Sequence, residues 1–131
     1  MRPVIVAAVA LACATGNAAA SAGFGCRAID KNVARLELEG VTPRDGTSLV
    51  QFNGAVEVVA GQKIELDKAD VVKFAWRKGI RLDIRKQLAQ KSFVEIRIRT
   101  HPGKDEMSFS GTYSVRTDVI RRNGHIDCEG G

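Results

Sequence analysis

Few residues in this 131-residue chain fall into patterns that signal catalysis. There are two histidines. His101 lies in a His-Pro-Gly-Lys segment, and His125 lies two residues before Asp127. On a strand, His125 and Asp127 project from the same face. Two ligands without a third do not make a metal site. The chain has no Gly-x-Ser-x-Gly elbow, no glycine-rich phosphate loop and no paired-carboxylate motif. No catalytic residue, metal or cofactor is therefore assigned. The cysteines are Cys13, Cys26 and Cys128. No Cys-x-x-Cys spacing points to redox or zinc chemistry. Cys26 and Cys128 are instead predicted to form a disulfide in an oxidising compartment. A bridge closing a loop of about 100 residues stabilises by about 4 kcal/mol in the chain-entropy account.

The strongest functional signal is charge. Residues 73–104 carry ten Lys and Arg against Asp83 and Glu95, a net +8. The rest of 23–131 has nine basic and thirteen acidic residues, a net −4. Such asymmetry informs on partners rather than on fold. If 72–77, 80–85 and 94–99 are strands, then Lys73, Arg77, Arg81, Arg85, Arg97 and Arg99 share the face away from the core. That face would suit an anionic lipid, a polysaccharide or an acidic protein surface. The same charges also serve as a solvated face that deters unwanted strand pairing. Nucleic acid is not expected, because the positions expected to be exposed lack interleaved aromatics to stack bases, and an exported chain is in the wrong compartment.

The elements that would position these residues read as strands. Apolar residues recur with period two in 33–39, 50–58, 72–77, 80–85, 94–99 and 109–115, with Ile64 and Leu66 between. Val72, Phe74 and Trp76 are expected on one face, as are Val50, Phe52, Val56 and Val58. Loops fall at 42–46 and 101–104, and Lys78-Gly79 fits a two-residue turn. Asn123-Gly124 reads as a type I′ hairpin turn, folding 119–122 onto 125–128. The fold class is all-β: a small antiparallel β-sandwich or partly open barrel of about eight strands. At most one short helix is expected, near 85–91, and Asp67-Lys68-Ala69-Asp70 has the composition of a cap.

A faint repeat runs through the chain. Arg35-Leu36-Glu37-Leu38-Glu39 precedes Phe52-x-Gly54-x-Val56-x-Val58. Glu95-Ile96-Arg97-Ile98-Arg99 precedes Phe109-x-Gly111-x-Tyr113-x-Val115. If the repeat is structural, the glycines mark bulges or close backbone contacts at equivalent places.

The N-terminus reads as an export signal. Arg2 precedes a short apolar run, Val4–Ala12, and small residues follow at Ala20 and Ala22. The run is too short to span a bilayer, which takes about 20 residues. Cleavage is expected after Ala22, with Ala20 as the alternative. That gives 1–22 as signal and 23–131 as one β-domain, with no transmembrane span in the mature chain. Ala10-Leu11-Ala12-Cys13 resembles a bacterial lipobox, departing at Ala10, where Leu is usual. The resemblance implies a lipid on Cys13 and a membrane-anchored lipoprotein. The order Cys26, Trp76, Cys128 resembles immunoglobulin-type sandwiches in outline only. Trp76 lies 50 residues past Cys26, and Ile126 stands where that family has a tyrosine.

These observations predict a periplasmic or secreted binding or assembly module that is not an enzyme. An exported enzyme with a scattered site and a structural envelope lipoprotein are the alternatives.

Overall fold

The computed structural model describes residues 21–43, 47–102 and 107–130. The export signal and Cys13 lie outside the described residues, apart from positions 21 and 22. Among the described residues, nine strands follow one another. They are β1 (Ser21–Ala28), β2 (Arg35–Pro43), β3 (Gln51–Glu57), β4 (Ile64–Asp67), β5 (Val71–Trp76), β6 (Ile80–Ala89), β7 (Ser92–Pro102), β8 (Ser108–Thr117) and β9 (Arg121–Gly130). All pairings are antiparallel, in the order β4-β3-β2-β1-β9-β8-β7-β6-β5.

The sheet curls into a nearly closed barrel. Its two edge strands, β4 and β5, run in the same direction and are joined by a single 3-10 turn, Lys68–Asp70. They are two parts of one course: β4 pairs with β3, and β5 pairs with β6. Side chains close the seam. Lys86 Nζ on β6 donates to the Glu65 carbonyl on β4 at 2.7 Å and lies 3.7 Å from the Asp70 carboxylate. Asp67 caps the turn, its carboxylate accepting from the Ala69 N–H at 2.9 Å, and Asp70 accepts from the Asp67 N–H at 2.9 Å.

Alternation decides which face is buried. Leu36 and Leu38 on β2, Leu82 and Ile84 on β6, Ile96 and Ile98 on β7, and Tyr113 and Val115 on β8 fill the interior. At one end aromatic rings plug it. Phe24 on β1 stacks on Phe74 of β5 at 5.5 Å, and Trp76 meets Phe24 and Phe109 edge-on at 5.7 and 5.6 Å. Cys26 and Cys128 are direct cross-strand partners on β1 and β9 and are joined by a disulfide. It locks the first and last strands, where the meander meets itself.

The other end is closed by the segment between β1 and β2. Asp30 accepts from the backbone N–H groups of Asn32 and Val33 at 2.7 and 3.0 Å. The buried Tyr113 hydroxyl donates to the same carboxylate, 2.9 and 3.0 Å from its two oxygens. Burial acts to raise the Asp30 pKa, but these donors outweigh it and hold the carboxyl below its usual range. The Tyr113 phenol is pushed far up, by burial first and then by Asp30.

Several local expectations are corrected. Asn123 and Gly124 lie inside β9, and the chain reverses at 118–120 instead, where the Thr117 hydroxyl accepts from the Val119 and Ile120 N–H groups. Gly124 is needed for space: a Cβ there would come within 2.5 Å of the Tyr113 ring and 2.6 Å of Asp30. The segment 85–91 is the end of β6 and a turn, not a helix. Its Arg85, Lys86 and Gln87 pair with Glu95, Val94 and Phe93, so sheet pairing overrides helix propensity. A bulge between Val71 and Lys73 turns Val72 outward, 67% exposed, and Val71 packs against the core instead. Val50 is exposed ahead of β3, and three residues rather than two connect β5 to β6. Strand β1 carries a weak sequence signal, because its Phe24, Cys26 and Ala28 alternate with glycines and one arginine.

Candidate functional site

The outer surface of the barrel divides by charge. On the β5–β8 side the cross-strand register forms rows. One row runs Ala75, Arg81, Arg99, Thr112 and His125. The next runs Lys73, Asp83, Arg97, Ser114 and Asn123, and a third runs Arg85, Glu95, Arg116 and Arg121. Lys73, Arg81, Arg85, Arg97 and Arg99 thus lie on adjacent strands and point outward. Arg77 stands apart, just past the end of β5.

Their electrostatic states differ. Arg99 Nη1 lies 2.8 Å from Asp83 Oδ1, an ion pair off the hydrogen-bonding direction. Arg85 and Arg116 both pair with Glu95, the Arg116 Nε at 3.0 Å. Both guanidinium groups also lie over the Phe93 ring, 4.4 and 5.3 Å from its centre. The Arg116 hydrogen bond, helped by Arg85 and opposed by partial burial, holds the Glu95 carboxyl below its ordinary range. Among the described residues, Lys73, Arg77, Arg81, Arg97 and Arg121 make no ion pair.

Arg97, Ser114, Arg116, Arg121 and Glu95 line an open groove of about 340 Å³. Arg116, Arg121 and Ser114 lie beyond the basic stretch 73–104, so charge density along the chain does not reveal them. The signal was available: Ser114 and Arg116 alternate with the buried Tyr113 and Val115, so they had to face outward. The groove offers guanidinium forks and a hydroxyl, the donors that bind phosphate, sulfate or carboxylate groups.

Both histidines are exposed on the outer surface of the barrel. His125 Nε2 lies 2.8 Å from Asp127 Oδ1, and both side chains are exposed. Ser110 sits between His101 and Asp127 in one outer row, with no hydrogen bond to either imidazole among the described residues. Among the described residues, no cluster of three His, Cys, Asp or Glu could hold a metal ion.

The opposite side is acidic. Strands β9, β1, β2, β3 and β4 frame an open groove of about 820 Å³. Gly25, Gly54 and Ala55 line it with almost no side chain, and Glu37, Glu39, Glu65, Asp127 and Glu129 supply carboxylates. Arg27 and Lys63 are its cations, and Arg27 is paired to Glu37 at 2.9 Å.

Among the described residues, no helix is long and apolar enough to cross a membrane. The barrel has apolar residues inside and charge outside, the reverse of a lipid-spanning barrel. The fold and surface define a disulfide-locked, closely packed β-barrel with two oppositely charged walls. Comparison with known protein families, curated proteins and solved structures finds no match.

Proposed function

We propose that the protein is an exported, non-enzymatic binding module whose cationic wall holds an anionic partner. One observation carries this reading. Arg81 lies directly opposite Arg99, and Arg116 directly opposite Arg121, across neighbouring strands. Like charges so placed disfavour the sheet by a few tenths of a kcal/mol up to about 1 kcal/mol each. Folding alone favours opposite charges there, as at Arg27 and Glu37. An anion laid across the rows relieves the repulsion and uses Arg97, Arg121 and Ser114 as donors.

Export is supported by the signal-like N-terminus and by the disulfide, a bond that persists outside the reducing cytoplasm. Ala22 already pairs with Thr42 in β1. Cleavage after Ala20 therefore leaves β1 whole, and fits the fold better than cleavage after Ala22. Mass spectrometry of the exported protein reads the mature N-terminus and any lipid on Cys13.

Binding is tested by co-sedimentation with phosphatidylglycerol vesicles and, in a second arm, retention on a sulfated polysaccharide. The expected result is salt-sensitive binding that falls about tenfold or more in Arg81→Gln/Arg97→Gln. Equal binding by this variant would remove the cationic wall from the account.

A further inference from the structure

We infer that the cationic wall also docks on the acidic wall of a second copy of this chain, so that the protein associates head to tail. This rests on the reading of the cationic wall as a binding surface and names one partner for it.

Three observations converge. The first is placement. With β4 and β5 as one course, β3, β4/β5 and β6 separate β2 from β7 in one direction. In the other direction β1, β9 and β8 separate them. The two strands are therefore on opposite sides of the barrel.

The second is charge. Within the repeat, the outward residues of β2 are Arg35, Glu37 and Glu39, and those of β7 are Glu95, Arg97 and Arg99. The sequence repeat is thus inverted in sign at every outward position, while its inward positions stay aliphatic. Among the described residues Glu39, Glu65 and Glu129 make no ion pair, and neither do Arg81 and Arg97 opposite them.

The third is shape. The acidic groove is floored by Gly25 and Ala55, which leave room for long side chains, and the cationic wall presents exposed arginines. Guanidinium groups laid in that groove find carboxylates on both sides. Because the two surfaces differ and face away from each other, each added copy presents a fresh wall. The geometry gives an open-ended row rather than a closed pair.

Sedimentation of the disulfide-intact protein tests this across protein concentration, at about 20 mM and about 200 mM salt. At low salt the mean mass should climb without levelling at a dimer, and association should weaken tenfold or more at high salt. Arg81→Gln/Arg97→Gln and Glu39→Gln/Glu129→Gln should each remain monomeric alone. Mixed in equal amounts they retain one intact wall each, and should form a one-to-one pair and stop. Native circular dichroism in both variants checks folding. A wild-type chain that stays monomeric at low salt, an acidic-wall variant that associates normally, or a mixture that stays monomeric would each overturn the inference.

Vesicle binding separates this outcome from the function proposed above. The acidic-wall variant should bind phosphatidylglycerol vesicles at least as well as wild type. Vesicle or polysaccharide binding without self-association sinks only the present inference, and self-association without binding to either sinks only the foreign-anion reading.

Discussion

Hairpins β2–β3 and β7–β8 are built alike and decorated in opposite ways. Both send aliphatic side chains inward from the leading strand, Leu36 and Leu38 in one and Val94, Ile96 and Ile98 in the other. Both set a glycine against the preceding strand: a Cβ on Gly54 would run into the Glu37 carbonyl, and one on Gly111 into the Arg99 carbonyl. Their registers differ by two residues, since Leu38 faces Gly54 but Ile98 faces Tyr113. Packing constrains the inner face and leaves the outer face free. The inversion of charge on that free face is therefore where this molecule carries information beyond its fold.

The comparison breaks most directly at the shared inner positions. Leu38→Ala and Ile98→Ala each remove a fully buried side chain. Both should destabilise by about 2–5 kcal/mol, measured by urea unfolding with the disulfide intact. If one cost far less than the other, the two hairpins would not be equal supports of the core.

This inner face was largely legible in the sequence. Period-two alternation located seven of the strands, because one buried face imposes that pattern. The Cys26–Cys128 bridge was legible from cysteine number and spacing. The misses share a cause: local signals were outweighed by distant packing. Asn123-Gly124 has turn chemistry, yet the glycine makes way for the Tyr113 ring. Asp67–Asp70 was legible as a cap, but it caps one 3-10 turn inside a strand course. The cationic wall was half legible. Parity found Arg81, Arg97 and Arg99, whereas the neutralisation of Arg85 by Glu95 and the joining of Arg121 depend on strand order.

Acid should distinguish the hairpins next. The repeat places Tyr113 in β8 where β3 has Val56, so only the β7–β8 side carries the hydroxyl-to-Asp30 contact. The folded Asp30 and Glu95 carboxyls titrate below their unfolded values. The unfolded chain therefore takes up protons first as pH falls. Their stabilisation is present above about pH 4 and is lost below it, as pH drops through the folded pKa values. Tyr113→Phe leaves Asp30 without that donor and should cost about 1–3 kcal/mol at neutral pH, with a smaller loss on acidification than wild type. Hydrogen exchange during acidification should rise in β8 and in 29–34 before it rises in β2–β3. Simultaneous loss in both hairpins would show that this lock does not set the acid response.

The smallest effect is the most discriminating, because its sign is unusual. Arg81 and Arg99 face each other across β6 and β7, and Asp83 already pairs with Arg99. Arg81→Glu replaces a repulsive cross-strand pair with an attractive one on an exposed surface. It should stabilise the folded chain by about 0.2–1 kcal/mol, and the gain should shrink as salt rises. The matching change on the other wall, Glu37→Arg, breaks pairs with Arg27 and Arg35 and should destabilise by a similar amount. If Arg81→Glu raises stability while vesicle binding falls, the arginine is held at a thermodynamic disadvantage that folding does not explain and partner binding does. If Arg81→Glu destabilises instead, the facing arginines are accommodated within the sheet, and their juxtaposition no longer argues for a partner.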